Sequence, residues 1–304
     1  MKKLDFVGFG ALNVDKLFKV NRIAGAEEES FVTDYAEACG GSAANTIVGL
    51  ARLRSKVGFI GKVASDRDGE LLLEDFRKES VNTDGIIKVK NGRSGAVMGL
   101  VDENGQRALY VDPGVNDLIE FEEINKEHVS NSDFLHLSSF VGEKSFQAQK
   151  KLLEILPENV KVSLDTGELH ARKGLKALAS ILRRTFVFLP NARELEILTG
   201  ETDYKKAAET MLKKGVKIIA VKLGNEGCYV TNGNEAHRIE AVKVKVVDTT
   251  GAGDAFNAGF LHGILHDKSL PECGKIGNFA ASRCIMKMGA RAGLPRLEEL
   301  ERFL

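Results

Sequence analysis

Short β-rich runs alternate with amphipathic helical patterns along most of the chain, and this alternation is what most narrows the fold. Apolar runs at 4–10 (LDFVGFG), 56–64 (KVGFIGKVA), 133–139, 160–165, 185–190 and 216–224 read as buried strands. Helical periodicity marks 42–54, 68–80, 143–155, 171–182, 192–199 and 204–214 between them. Strand–helix–strand units of this kind build a mostly parallel sheet with helices on both faces. The expected fold is therefore a three-layer α/β/α sandwich. With 304 residues, 43% of them hydrophobic, the chain can bury a core of that size.

Two stretches break the alternation. Residues 14–37 and 86–112 read as strands joined by turns, with no helix between them. Within the second, Asn104-Gly105 lies between two alternating runs and signals a hairpin. One small sheet assembled from two insertions accounts for both. The core is then 1–13, 38–85 and 113–304, and the small sheet is a lid over a cleft at the carboxyl edge of the main sheet. The alternative is an edge extension of the main sheet.

Chemistry concentrates in "DTTGAGDAFNAGF", residues 248–260. Gly251, Ala252 and Gly253 precede an apolar helical run. The first N–H groups of a helix lack partners, and with the positive dipole end they make an anion site. Asp254 falls in the first turn, and three readings compete for it. Aspartate is favoured there as a capping residue. A dinucleotide loop needs a third glycine where Phe256 stands, and the run Gly8-x-Gly10-x-x-Asn13 fails in the same way. A catalytic reading makes Asp254 a base that takes a proton from a hydroxyl as its oxygen attacks phosphorus, while the amides stabilise the transferred group. No GxxxxGK(S/T) occurs, so a P-loop mechanism is excluded.

Other segments carry candidate contacts. Gly40-Gly41 ahead of a helix allow close backbone approach, and Asn45 can both donate to and accept from sugar hydroxyls. "NARE", Asn191 to Glu194, opens a helix after a strand, with asparagine and glutamate at capping-box spacing. One carboxylate with one amide also suits Mg²⁺, which keeps waters and phosphate oxygens around itself.

Taken whole, "DTTGAGDAFNAGF" closely resembles the carboxyl-terminal motif of the ribokinase-like (PfkB) carbohydrate kinases, and "CGGSAANTIVGLARL" (39–53) is similar to their amino-terminal motif. The resemblance implies ATP-dependent phosphorylation of a hydroxyl on a sugar or sugar-like molecule. Gly251, Ala252 and Gly253 become the anion hole and Asp254 the base. Gly40, Gly41 and Asn45 meet the substrate, as do Asp15, which grips two sugar hydroxyls, and Asn13 beside it. Glu194 holds Mg²⁺ through water with Asn191. Lys222, Gly224 and Gly227 line the ATP site with Thr250, and Asn278 flanks the adenine. Asp248 and the loop near Gly289 resemble a monovalent-cation site, which implies K⁺. Ribose-specific relatives carry an acid shortly after the strand that here reads DFLHLSS; Ser138, Ser139 and Phe140 occupy those positions. Phe140 stacked on a base would indicate a nucleoside kinase, and Arg93 would meet a substrate phosphate or carboxylate. Core packing and a solvated turn are their plainer readings. A non-catalytic sugar or nucleotide sensor is the reading outside the enzyme class.

Charge supports a small-molecule substrate. Lys and Arg total 43, as do Asp and Glu, which calls for neither nucleic acid nor an anionic membrane. The four cysteines, Cys39, Cys228, Cys273 and Cys284, are scattered and fit a reducing cytoplasm. His262 and His266 lie one helical turn apart, but a zinc site needs further ligands. A small sheet with an open face buries it by pairing, so a homodimer through the lid is expected.

Overall fold

The computed structural model describes residues 3–304. Among these residues, thirteen strands form two sheets. In chain order they are β1 Leu4–Phe9, β2 Asn13–Val20, β3 Val32–Gly40, β4 Val57–Ala64, β5 Ile86–Val89, β6 Gly95–Val101, β7 Arg107–Asp112, β8 Ser132–Leu137, β9 Lys161–Leu164, β10 Thr185–Phe188, β11 Ile218–Lys222, β12 Cys228–Thr231 and β13 Ala236–Ile239. The large sheet runs β13-β12-β11-β10-β9-β8-β1-β4-β5. From β11 to β5 every pair is parallel; β12 and then β13 add antiparallel hairpins at one edge.

Parallel strands covered on both faces read as continuous apolar runs, and all eight residues of β4 are buried. Successive residues serve opposite faces. Phe6, Phe59, Phe134, Val187 and Ala220 pack on one side, against the helices Ser42–Arg52 and Ala252–Leu265. Val7, Ile60, Leu135, Phe188 and Ile219 pack on the other, against Glu143–Ile155, Gly174–Arg184 and Tyr204–Lys213. The molecule is a three-layer α/β/α sandwich with a second, smaller sheet. The helix expected at 171–182 is divided into Gly167–Ala171 and Gly174–Arg184, because Gly174 takes a φ of +79° that ends one helical path and begins another.

The small sheet has the order β3-β2-β6-β7, with β2 and β6 parallel at its centre, from Asn13 opposite Gly95 to Lys19 opposite Val101. The hairpin at Asn104-Gly105 forms as expected. Gly105 takes φ +78°, and Asp102 Oδ1 accepts from the N–H groups of Asn104 and Gln106. The boundaries differ from the sequence reading in two places, and the first insertion reaches from Asn13 to Gly40 rather than 14–37. The segment 86–112 is split: β5 pairs with β4 as the edge of the large sheet, and only β6 and β7 join the small one. A four-residue run records its length but not its partner. Among the described residues, no helix is long and apolar enough to cross a membrane.

Candidate active site

A cleft of about 630 Å³ opens where β9, β10 and β11 end and the helix Ala252–Leu265 begins. This is the carboxyl edge, where side chains from several strands converge. Gly251 caps that helix with φ +76°. A Cβ there would come within 2.6 Å of the Ala290 backbone, so the turn admits only glycine. The Ala252 N–H donates back to Thr249 O at 3.2 Å. The N–H groups of Gly253 and Asp254 are left without a partner among the described residues. Of the three residues read as the anion hole, Ala252 has its N–H taken up, while those of Gly251 and Gly253 have no partner among the described residues.

Asp254 faces this mouth. Its Oδ1 accepts from the Ser42 hydroxyl and its Oδ2 from the Asn45 amide, both at 2.8 Å. Burial pushes its carboxyl up to about 6, the nearby Asp165 adds to the rise, and the Asn45 hydrogen bond opposes it. Each oxygen keeps a second lone pair. A carboxylate with that affinity for protons can take one from a hydroxyl near neutral pH.

Beneath the mouth lies a buried polar group that local pattern does not reveal. Asp165 Oδ2 accepts from Lys222 Nζ at 2.7 Å and from Asn257 Nδ2 at 2.6 Å. Burial opposes the charge on Lys222, but Asp165 and Glu194 outweigh it and hold the ammonium above its ordinary range. Burial likewise opposes the charge on Asp165, and Lys222 wins, leaving it below the usual carboxylate range. Lys222 passes close under Gly253, where an added Cβ would stand 3.4 Å from Nζ.

Asn191 and Glu194 form the capping box that their spacing suggests: Asn191 Oδ1 accepts from Glu194 N at 2.8 Å, and Glu194 Oε2 from Asn191 N at 2.9 Å. Both line the cleft. Burial and then Asp165 push the Glu194 carboxyl up. A cation at this wall would relieve both effects, so the residues fit Mg²⁺ held through phosphate and water. Among the described residues, no cluster of three His, Cys, Asp or Glu could hold a metal alone. His262 and His266 lie with ring centroids 4.4 Å apart and acquire no third ligand.

Asp248, read as a monovalent-cation ligand, is already engaged by donors and lies near a cationic side chain. Its oxygens accept from Thr250 N and Oγ1 and from Gly289 N, and the Arg107 guanidinium lies 3.5 Å away. It ties two loops together, and K⁺ would sit against a positive charge. Gly224 and Gly227 line the cleft with φ of +61° and +88°. The constraint at Gly227 is its backbone, since a Cβ would meet Ile239 O at 2.0 Å. Asn278 lines the cleft and pins the next loop, donating to the carbonyls of Ile239 and Glu240 at 3.1 and 2.9 Å.

The expected substrate residues cluster around the start of the helix Ser42–Arg52. Gly41 caps it with φ +105°; a Cβ on Gly40 would stand 2.3 Å from the Asp15 carboxylate. Burial pushes Asp15 up to about 6, opposed by the charge of Arg291. Asn13 Oδ1 accepts from Asn116 Nδ2 at 2.9 Å. Two residues fall elsewhere. Phe140 is buried edge-on against Phe9, 5.6 Å between centroids, and has no face for a base. Arg93 is exposed and paired with Asp112 at 2.9 Å. For both, the plainer reading holds.

The pfkB family carbohydrate kinase pattern matches residues 3–297. An uncharacterized sugar kinase of Archaeoglobus fulgidus is 49% identical over 252 residues, 82% of this chain and 99% of its own. The ribokinase of Staphylococcus aureus is 31% identical across 96% of each chain. The structure of Arabidopsis thaliana ribokinase complexed with ribose and ATP has a TM-score of 0.88 at 26% identity, covering 99% of this chain and 98% of that one. Fold, sequence and the order of the motifs agree from end to end, and the chain belongs to the pfkB family of carbohydrate kinases, phosphotransferases with an alcohol group as acceptor.

Proposed function

We propose that the protein transfers the γ-phosphoryl group of ATP to a hydroxyl of an uncharged sugar, with Asp254 as general base. The observation that carries this reading is the position of Asp254: a carboxyl pushed up to about 6, on a helix mouth where Gly253 lines the cleft with its N–H unpartnered among the described residues. Asp15, Gly41 and Asn45 orient the sugar. Asp254 takes the proton as the hydroxyl oxygen attacks the γ-phosphorus, and ADP leaves. The amides of Gly253 and Asp254, with the helix dipole behind them, meet the charge that builds on the transferred group. Mg²⁺ beside Glu194 and Asn191 would neutralise phosphate oxygens. The small sheet acts as a lid that closes on the sugar and excludes water. The free thiols, three of four buried, fit the reducing cytoplasm.

The charges favour a neutral substrate. Asp15 would repel a phosphate or a carboxylate. Three cations on and beside the small sheet are already paired: Lys16 with Asp68 at 2.6 Å, Arg67 with Glu37 at 2.6 Å, and Arg93 with Asp112; Lys19 on β2 is exposed and unpaired among the described residues. ADP release with Mg-ATP, across free sugars, phosphorylated sugars, sugar acids and nucleosides, tests the reading. A free sugar should give the highest kcat/KM. A phosphorylated sugar or a nucleoside ahead of every free sugar would refute the neutral-sugar assignment, and ATP binding without ADP release on any of them would favour a sensor.

A further inference from the structure

One N–H of the Asn45 side chain holds Asp254 Oδ2. An amide can face either way, and the opposite orientation would turn a carbonyl oxygen onto a carboxylate. The group that decides lies on the far side of Asn45. Nε of Arg291 donates to Asn45 Oδ1 at 2.7 Å. A guanidinium only donates, so the Asn45 oxygen must face Arg291 and its nitrogen must face Asp254. Arg291 is itself fixed on every side. It is 9% exposed, it pairs through NH1 with Asp75, NH2 lies 3.4 Å from Gly40 O, and the guanidinium lies over the Phe76 ring, 5.8 Å from its centroid.

We propose that Arg291 is a positioning residue for phosphoryl transfer: anchored by Asp75, it orients the Asn45 amide so that Asp254 always meets a donor. The inference rests on Asp254 being the base. Arg291 touches no reacting atom. A pin between the carboxyl-terminal loop and the helix Arg67–Lys78 would need only the Asp75 pair; the Nε bond adds nothing to that pin, yet reaches the base through a single amide. It also joins the two halves of the site, since Asn45 and Gly40 stand on the substrate side.

The groups facing Asp254 set the expected sign. Asp165 opposes its ionisation, Lys222 favours it, Ser42 and Asn45 donate to it, Thr46 meets its backbone carbonyl, and the Cys284 thiol stands nearby. With the Asn45 donor free to rotate, the ionised carboxylate loses support and the base moves to higher pH.

Arg291→Lys keeps a positive charge beside Asp75, but a single ammonium on a flexible stem cannot serve Asp75 and Asn45 together. Its kcat should fall about tenfold at pH 7, with the acid limb of the pH profile moved up by about half a unit or more and KM for ATP unchanged. Asn45→Ala should move the acid limb the same way, and Arg291→Lys in that background should add nothing. Arg291→Met combined with Asp75→Asn removes the pair without stranding Asp75, but Asp15 also loses the Arg291 charge; with its folding checked by thermal melting, it should reproduce the shift, less any part that persists in the Asn45→Ala background, which belongs to Asp15. An acid limb unmoved in both Arg291 variants overturns the inference, as does an undiminished Arg291→Lys effect in the Asn45→Ala background. Asp254→Asn separates the two levels. Near-normal turnover there removes the base itself. Loss of turnover there, with wild-type acid limbs in the Arg291 variants, removes only the role of Arg291.

Discussion

Asp254 combines two demands that oppose each other. The proposed base must ionise, but burial disfavours the charge, and the result is a carboxyl raised from 3.8 to about 6. The same shift has a consequence for stability. Below about pH 3.8 the group is protonated whether the chain is folded or not. As the pH rises through 6 the folded state must carry a charge that its surroundings disfavour, so stability is lost in that window. Asp254→Asn should therefore melt higher than the wild type at pH 7.5, with the gap closing by about pH 4; a gap that does not vary with pH would contradict the assignment. Gly251 makes a second demand at this scale. Gly251→Ala combines an unfavourable φ with a collision against Ala290, and should destabilise the protein by about 1–3 kcal/mol and lower turnover by distorting the anion-binding mouth. Denaturant unfolding and kcat together check it.

Among the elements, what could be read in the sequence was what is local. The Asn191–Glu194 capping box, the Asn104-Gly105 hairpin and the alternation of strands with helices each depend on residues a few positions apart, and each is present. What escaped depends on distant meetings. Asp165, Lys222 and Asn257 come from two strand ends and a helix, and Arg291 reaches Asn45 from the opposite end of the chain. No periodicity records such pairs. Asp165 looked like the last residue of a strand, and nothing in the local sequence singled out Arg291. The edge strand β5 was misassigned for a related reason: pairing partners are set by tertiary packing, not by a four-residue run. The two sheets also meet through one such contact. Arg107, at the start of β7, lies 3.4 Å from Thr250 Oγ1 and 3.5 Å from Asp248, on the loop that leads into the Asp254 helix. If the small sheet closes on the sugar, Arg107→Ala should raise KM for the sugar severalfold and leave KM for ATP unchanged. Equal effects on both constants, or none, would dissociate the small sheet from sugar binding.

At the scale of the whole molecule, the large sheet is covered on both faces and the small one is not. On one face of β7, Leu109 and Val111 are 60% and 51% exposed. A second copy covering this surface would remove it from water, as the open-sheet argument requires. Light scattering should give twice the mass of one chain, and Leu109→Glu should halve it; a single-chain mass for the unaltered protein would contradict the dimer. The account as a whole depends on one transfer of one proton. Turnover and ATP binding of Asp254→Asn, measured beside the wild type on the best sugar acceptor, test that claim most directly. The account predicts kcat lower by about two to four orders of magnitude with ATP affinity little changed. Turnover within about threefold of the wild type, with the sugar still phosphorylated, would mean that the proton leaves by another route and that Asp254 is not the base.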